Sequence, residues 1–415
     1  MWTCIFSFVL WMSAADIQAT AISSAADTEF YLLTVGIGDH IDARYGHTIL
    51  RVEEPGEEVH NYNWGTFSFN EPYFALRFFL GKLRYWVEPW SDGLVDWKYH
   101  DEARYVIRDR LQLTSWQKTQ LLEAIQINLQ GENKYFYYDF FLKNCSTIPR
   151  DHLNTILHNQ IFTRFSTSHT SMRYRDYVRK YLNTPFGVDT FLEIAMNSTI
   201  DFPLSPWEEM FFPLKLREYL LQMPAVDDAG KPIPGKMLLT DTRPWIEAPE
   251  RPISYVDLYW VIFAWLGLFV LYLGRKFQQG QSPIGVMGAF LLPWSLFSGL
   301  LGTVMALAWM FSEHIVLQHN ANLWFFWPLD LGLLYPAWRW CRARALPPLW
   351  SQWVVALLGG HCACALLAGG LRMGGWIHQD IDKIFGFLLI PLLGIYAIAL
   401  HHARKQPFLA GTPKS

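Results

Sequence analysis

Cysteine is scarce in the part of the chain that has the composition of a soluble domain. Of the five cysteines, Cys4 lies in the N-terminal apolar stretch, and Cys341, Cys362 and Cys364 lie in or beside apolar runs near the C-terminus. If the soluble part is exported, Cys145 has no disulfide partner in an oxidising compartment. Such a thiol is most simply explained by chemistry, and the alternative is a buried cysteine that acts as a small apolar side chain.

Charge is also scarce, both in its balance and in its distribution. The chain has 34 Lys and Arg against 37 Asp and Glu, a formal net charge of -3, which favours neither a nucleic acid nor an acidic partner. Residues 27–253 are polar enough for a folded domain, whereas long runs after Arg251 are almost uncharged. With 51% hydrophobic residues overall, the chain is too apolar for an average soluble protein, so we expect its C-terminal part to lie in a membrane.

The N-terminus lacks the basic residues that usually precede an export signal. An apolar stretch from Trp2 to Met12 is followed by small residues, which include Ala19 and Ala21. We therefore interpret residues 1–26 as a signal sequence or as an uncleaved N-terminal anchor. Both interpretations place the following domain outside the cytoplasm.

Five segments are long and apolar enough to be predicted as transmembrane helices, since a span needs about 20 apolar residues. They are residues 254–274, 287–312, 323–341, 351–372 and 384–402. Lys and Arg follow the first, third and fifth segments and are nearly absent from the intervening loops. By the positive-inside rule, the tail of residues 403–415 is then cytoplasmic and the soluble domain lies on the opposite side.

The soluble part, residues 27–253, is predicted to be an α+β domain in three sections. A core of residues 27–160 contains the chemistry, residues 161–223 are helical, and residues 224–253, rich in Pro, Asp and Gly, form a stalk. Within the core, the runs 47–52 and 59–64 predict a β-hairpin. Thr114 and Gln117 predict a capping box at the start of a helix that runs to about Leu129.

The segment around Cys145 carries the main chemical signal. An aromatic run leads into Asn-Cys-Ser-Thr, and Pro149 suits the first turn of a helix, so Cys145 lies at or just before a helix N-terminus. Free N–H groups and the helix dipole there favour the nucleophilic thiolate. A cysteine nucleophile also needs a base, and His47 at the start of a strand is our candidate.

His60 or Asn61, on the partner strand of the hairpin, could orient this base, with strand parity deciding which side chain shares its face. The alternative for each of His40, His47, His60 and His100 is an ordinary histidine, either on the surface or with its hydrogen bonds satisfied inside the fold. A zinc site built from His40, His47 and His60 matches no usual ligand spacing, and His361 with Cys362 and Cys364 is better explained by helix packing. We predict no metal and no cofactor.

Several motifs give the chain a family resemblance. The runs Arg44–Val52, Tyr62–Phe67 and Tyr138–Thr147, followed by Arg150 and Asp151, resemble the periplasmic domain of the Lnb-type lipoprotein N-acyltransferases. The stretches Glu313–His314, Asn320–Trp324 and Pro328–Leu329 also fit the membrane part of that family. The resemblance implies a permuted papain-like periplasmic domain with Cys145 and His47 as the catalytic pair. Together with the five apolar segments, it predicts that a five-helix transmembrane bundle follows this domain, in a multi-pass protein of the inner membrane.

The resemblance also implies a reaction. Cys145 would take a fatty acyl group from a phospholipid or another acyl lipid as a thioester and pass it to an amine, the N-terminal lipidated cysteine of a lipoprotein. The alternatives are a cysteine hydrolase, either a lipase or a cell-wall amidase, and a non-catalytic membrane scaffold. The Cys145 N–H and its helix terminus would stabilise the oxyanion.

Ionisable and polar residues in the apolar half supply the candidate lipid site. Asp330 falls inside the third predicted span, where such a group is costly and usually functional, although pairing with a neighbouring polar group explains it as well. We expect the loop from Glu313 to Asn322 to lie beneath the mouth of the Cys145 site. The candidate substrate-binding residues are Glu313, His314, Asn320, Asn322, Trp324 and Asp330.

Overall fold

The chain divides into two compact units. The computed structural model describes residues 27–182, 188–251, 259–281 and 284–405, so the predicted signal of residues 1–26 and the end of the predicted tail lie outside the described residues. Met1–Met172 and Pro203–Ile253 contribute one unit, which we call the sheet unit. Arg173–Phe202 and Ser254–Ser415 contribute the other, which we call the helical unit. A sheet-rich N-terminal α+β domain with additional helices is thereby confirmed.

Seven strands of the sheet unit form one antiparallel sheet in the order β6-β4-β3-β2-β1-β5-β9. The strands are β1 (Glu29–Val35), β2 (His47–Glu53), β3 (His60–Thr66), β4 (Arg84–Trp90), β5 (Val106–Leu111), β6 (Tyr135–Tyr137) and β9 (Leu239–Ile246). Two further strands, β7 (Pro224–Val226) and β8 (Pro232–Met237), pair with each other. The predicted hairpin is the pair β2–β3, at the centre of the large sheet.

Numbered along the chain, the helices of the sheet unit before residue 173 are α1 (Phe74–Phe79), α2 (Asp92–Asp101), α3 (Ser115–Leu129), α4 (Thr147–Ile156) and α5 (Gln160–Phe165). Next come α6 (Tyr174–Tyr181) and α7 (Val188–Ala195) of the helical unit, then α8 (Pro206–Glu209) and α9 (Pro213–Leu220) of the sheet unit. The remaining helices are α10 (Tyr259–Gln278), α11 (Ile284–Phe311), α12 (Leu334–Cys341), α13 (Pro348–Met373) and α14 (Asp382–Lys405).

Both faces of the large sheet are buried. The neighbours Leu32 and Leu33 in β1 point to opposite faces, and both side chains are 0% exposed. On one face, Leu32 packs in a cluster with residues of α3 and α4. On the other face, Leu33 packs with Val95 and Tyr99 of α2. This double cover explains why β1 has a continuous apolar run rather than an alternating pattern.

The predicted helix from residue 114 to 129 is confirmed together with its cap. The amide of Gln117 donates to the Thr114 hydroxyl (3.2 Å), and the amide of Thr114 donates to the Gln117 side-chain oxygen (3.0 Å). Because these reciprocal bonds satisfy two otherwise unpaired amides, they fix the start of α3.

The segment predicted as a stalk, residues 224–253, is instead part of the fold as far as it is described. It contains β7, β8 and β9, and β9 pairs with β5 through registers such as Arg108 opposite Arg243. Pro244 lies in β9, which is an edge strand of the sheet. A proline is tolerated at an edge because its missing N–H is not needed for a second ladder. The proline content of residues 224–253 therefore led to the wrong prediction of a stalk.

The prediction of five transmembrane helices was wrong for the described residues. Two helices there are long and apolar enough to cross a membrane: α11, which contains most of the predicted span 287–312, and α13, which contains the span 351–372. The predicted spans 254–274 and 384–402 fall largely on α10 and α14, and both helices or their approaches include residues that lie outside the described ones, so these two spans stay predictions.

The predicted span 323–341 is not one helix. It is broken into the 3-10 turns Ala321–Trp324 and Pro328–Leu333, followed by the short helix α12. A methyl group on Gly302 of α11 would lie 2.5 Å from the carbonyl oxygen of Phe326, so this irregular backbone lies directly against a long helix. Irregular backbone is tolerated at membrane depth where protein covers it. Hydropathy alone does not distinguish that situation from a continuous span.

Part of the predicted helical section 161–223 belongs to the helical unit. In this unit, Arg179 of α6 donates to Glu193 of α7 through Nε (2.6 Å) and to Asp380 through Nη2 (3.1 Å). Arg175, 0% exposed, pairs with Asp201, whose carboxylate also accepts from the amide of Asp380 (3.0 Å). These buried charges are paired, as their desolvation requires.

Candidate active site

A turn held by Asn144 presents Cys145 at the start of α4. Asn144 Oδ1 accepts from the amides of Ser146 (2.8 Å) and Thr147 (2.9 Å), which would otherwise be unpaired at the helix start. Asn144 Nδ2 also donates to the carbonyl of Phe211 (3.0 Å), so the turn is fixed from both sides. The prediction that Cys145 precedes a helix N-terminus is confirmed.

The Cys145 sulfur lies against strand β2. It accepts a hydrogen bond from the backbone amide of Thr48, and the amide of Cys145 itself also acts on it. The ladder between β2 and β3 ends at Leu50 opposite Tyr62, so the Thr48 amide lies beyond this ladder. Since Thr48 follows His47, the sulfur is placed beside the backbone of the predicted base.

The predicted base is oriented by an asparagine. His47 Nε2 and Asn63 Oδ1 are 2.6 Å apart, and Asn63 Nδ2 donates to the Thr66 hydroxyl (3.3 Å), which fixes the orientation of the amide. Because a carboxamide oxygen only accepts, Nε2 carries the imidazole hydrogen and Nδ1 keeps its lone pair. His47 is thus a neutral tautomer whose Nδ1 can take up a proton.

Strand register explains why the partner is Asn63. Arg51 pairs with Asn61 across the hairpin, and His47 lies four residues before Arg51, on the same face of β2. On β3, Asn63 and Gly65 lie two and four residues after Asn61, so their positions share that face. Gly65, the position nearest to His47, has no side chain, and a methyl group there would lie 2.7 Å from His47 Cε1. The imidazole therefore occupies the space above Gly65 and reaches Asn63 diagonally.

The two residues predicted to orient His47 lie elsewhere on β3. His60 pairs with Val52, at the other end of β2 and on the opposite face of the sheet. Asn61 shares the face of His47, but its amide donates to the carbonyl of Trp90 (3.1 Å) and to Asp92 (2.8 Å). Neither makes the hydrogen bond to His47, which belongs to Asn63.

The thiol and the imidazole are both neutral in this structure. Burial raises the pKa of Cys145 to about 11, although the Thr48 amide and Arg104 act in the opposite direction. Burial and Arg104 lower the pKa of His47 to about 4. This differs from the expectation of a thiolate, because desolvation outweighs the local N–H groups. In the described residues, no hydrogen bond links the imidazole to the sulfur, so proton transfer has to accompany the attack on a substrate.

Arg104 is a site residue that the sequence did not identify. Its side chain is buried, and its guanidinium donates to the carbonyl of Gly36 (2.7 Å) and to Glu102 (2.8 Å). Its Nη2 is buried without a hydrogen-bond partner among the described residues. The positive charge lowers the pKa of both Cys145 and His47, so it favours a negative sulfur and a neutral base.

Two of the predicted lipid-site residues are structural anchors in the helical unit. Asn320 and Asn322 are buried, and each side-chain amide donates to the carbonyl of Ile194 (2.8 Å). Gln379, which the sequence did not identify, donates to Asn320 Oδ1 (2.9 Å) and accepts from the amide of Ala321 (2.8 Å). These bonds join the turn around residue 320 to α7 and to the segment before α14.

Asp330 is paired with neighbouring polar side chains, which agrees with the structural interpretation of this residue given above. Its Oδ1 lies 2.7 Å from His361 Nε2, and its Oδ2 accepts from the hydroxyl of Ser298. All three side chains are buried, with no more than 1% exposed. Trp327 stacks on the His361 ring at 3.9 Å between centroids. The sequence did not identify His361 and Ser298 as the partners of Asp330, because these residues lie on two other helices, α13 and α11.

A cavity of about 540 Å³ lies in the helical unit. Its wall includes Asn320 together with Trp309, Trp324, Trp327, Trp376 and His319. Of the six predicted lipid-site residues, Asn320 and Trp324 are therefore at this cavity, whereas Asn322 and Asp330 are buried behind it. Glu313 is exposed and His314 is partly exposed, and neither lines the cavity.

The described residues thus combine two helices long enough and apolar enough to cross a membrane with an α+β domain in which Cys145 lies beside the strand that carries His47. Residues 15–173 match the family model of the Lnb N-terminal periplasmic domain. This match confirms the predicted family for the N-terminal part of the chain, which is similar to the Lnb N-terminal periplasmic domain. Comparisons with curated proteins and with solved structures gave no match.

Proposed function

We propose that this protein is a cysteine acyltransferase that N-acylates lipoproteins at the outer face of the inner membrane. The observation that carries the proposal is the chain of contacts from Thr66 through Asn63 to His47, with the Cys145 sulfur held by the next amide of the same strand. A nucleophile, a base and a group that orients the base are the three parts of such a site. Their order and placement agree with a permuted papain-like domain.

The first half of the proposed reaction forms a thioester. The Cys145 sulfur attacks the ester carbonyl of a phospholipid or another acyl lipid, while its proton passes to His47 Nδ1. The C–S bond forms, the ester C–O bond breaks, and the imidazolium returns the proton to the departing alcohol. The Cys145 amide, which the cap of Asn144 leaves facing the sulfur, and the charge of Arg104 would stabilise the oxyanion.

The second half transfers the acyl group to an amine. The amine of a lipoprotein's N-terminal lipidated cysteine attacks the thioester, an amide bond forms, and the C–S bond breaks. His47 takes the amine proton and returns it to the Cys145 sulfur, which restores the neutral pair. A pair that is neutral at rest suits this cycle, because each half begins with a lone pair on His47 Nδ1.

We propose that the helical unit binds the lipid. Support comes from the cavity lined by four tryptophans, since tryptophan prefers the membrane interface. Asn320 and Trp324 would contact the lipid, and Asn322 would hold the cavity wall. Asp330 would act through Trp327 as a positioning residue, and Glu313 and His314 would lie at the headgroup level outside the cavity. On this proposal α10 and α14 also span the membrane, which makes the protein multi-pass.

The test is mass spectrometry of lipoprotein N-termini from cells that make the wild-type protein, Cys145→Ala or Cys341→Ala. Cys341 is exposed in the helical unit, so its substitution is the matched control. We expect N-acylated termini with the wild type and the control, and their loss with Cys145→Ala. Release of free fatty acid by the purified protein, with no amine acylation, would instead identify a hydrolase. Unchanged N-acylation with Cys145→Ala would exclude catalysis by Cys145, and a non-catalytic scaffold would then be the remaining interpretation.

A further inference from the structure

Helix α1 of the sheet unit exposes large apolar side chains. Phe67 and Phe74 pack against the core of the unit and anchor this segment. Four neighbouring side chains point to solvent, with exposed fractions of 70% for Phe69, 78% for Tyr73, 53% for Leu76 and 47% for Phe78. We call these four residues the α1 patch. Single exposed apolar residues are ordinary, but a contiguous group in a short segment indicates an interaction surface.

The backbone of the patch also holds a costly conformation. Tyr73 has a φ of 58°, a left-handed conformation that is unusual for a bulky residue and costs about 1–3 kcal/mol. Helix α1 has only six residues, none of them buried, so packing onto the core contributes little to its stability. The segment therefore keeps its aromatic residues exposed at a cost that a bound partner would offset.

The patch is connected to the environment of Cys145 by touching rings. Phe69 contacts Phe67 (4.7 Å between centroids), Phe67 contacts Tyr85 (4.8 Å), and Tyr85 stacks on Tyr138 (4.3 Å). Cys145 is close enough to Tyr85 for its charge to contribute to the raised pKa of the phenol. A row of contacting aromatic rings thus runs from the patch to the region of the thiol.

We propose that the α1 patch inserts into the interface of the lipid bilayer. The occupant follows from three observations within the chain. The same chain carries two helices that are long and apolar enough to cross a membrane. The patch is aromatic, as interfacial segments are, and Arg77 at its centre is exposed and complements lipid phosphates.

This inference does not depend on the reaction proposed above, and its test needs no activity. The full chain is reconstituted in phospholipid nanodiscs with the photoreactive residue benzoylphenylalanine in place of Phe69 or Leu76. After irradiation, intact-mass analysis detects adducts whose added mass equals one phospholipid. The matched negative control is Trp97 of α2, which is 65% exposed but packs on the opposite face of the sheet, and the positive control is Phe297 of α11, which is 50% exposed.

We expect lipid adducts at positions 69 and 76 that exceed those at position 97 by about tenfold, because interfacial insertion excludes residues that remain in water. Adducts at position 297 with none at 69 or 76 would overturn the proposal. Equal labelling at position 97 would overturn it as well, since the patch would then be no closer to lipid than another exposed aromatic residue. Cross-links to protein in place of lipid would show that the patch binds a protein partner.

Discussion

Substituting Gly65 by alanine should displace the proposed base without touching the nucleophile. The added methyl group would lie 2.7 Å from His47 Cε1 and 3.0 Å from Asn63 Oδ1. Carbon atoms in contact prefer about 3.5–4.0 Å, so the imidazole has to move by about 1 Å. A displacement of that size in a catalytic group costs about 10²-fold in rate. Relief of the overlap should also cost about 1–3 kcal/mol of unfolding free energy.

The control is Gly93→Ala, at an exposed position of α2 where an added methyl group meets nothing within 4 Å. It should leave acyl transfer unchanged and add a little stability, since alanine favours a helix over glycine by about 1 kcal/mol. The assay is kcat/KM for acyl transfer, with the alkylation rate of Cys145 as a second measurement that should remain at the wild-type value. If a folded Gly65→Ala protein transfers acyl groups as fast as Gly93→Ala, His47 is not the base in its observed position.

Four further predictions concern the thiol, the base and the buried pair in the helical unit. Alkylation of Cys145 by a neutral reagent should rise with pH towards an apparent pKa of about 11, and a plateau below pH 7 would instead reveal a thiolate–imidazolium pair. Asn63→Ala should lower kcat with little change in KM, because the tautomer of His47 is no longer fixed; an unchanged kcat would exclude this role. The pKa of His47 falls from 6.5 to about 4 on folding, so the unfolded chain binds more protons between these values. Stability should therefore fall as the pH drops from 6.5 towards 4, by at most about 3 kcal/mol, and His47→Gln should remove this dependence in urea titrations. Asp330→Ala should cost about 3–5 kcal/mol by leaving His361 unpaired, and the Asp330→Ala/His361→Ala double variant should cost less than the sum of the two single variants in thermal unfolding.

The fold around Cys145 and His47 could be predicted because its signals are local. The capping box at Thr114, the hairpin between residues 47 and 64 and the helix after Cys145 each depend on residues within a few positions of one another. The orienting asparagine could not be chosen because it depends on the hairpin register. The loop between β2 and β3 permits more than one register, and a slip of one residue exchanges the faces of Asn61 and His60.

The helical unit was harder to predict because its contacts are distant in sequence. Arg179 and Asp380 are 201 residues apart, and composition gave no reason to assign α6 to the membrane half. Asp330 similarly finds its partners on two other helices, so the sequence could state the cost of burying it but not how that cost is offset. In the segment 323–341, contacts with α11 replace the continuous hydrogen bonds of a helix, which hydropathy does not detect.

The same burial that keeps the thiol neutral bears on the choice between transferase and hydrolase. Desolvation is the largest cause of the raised pKa of Cys145 and of the lowered pKa of His47, yet both residues keep part of their surface exposed. A thioester at Cys145 would lie among the same side chains, and a bound acceptor has to cover their exposed part if water is not to compete with its amine. A hydrolase needs a water molecule beside His47, whereas a transferase needs that position to be reserved for its acceptor. On the proposed function, the acceptor itself therefore has to exclude water from the thioester, and an acceptor whose own lipid chains carry its amine to the bilayer surface is suited to do so.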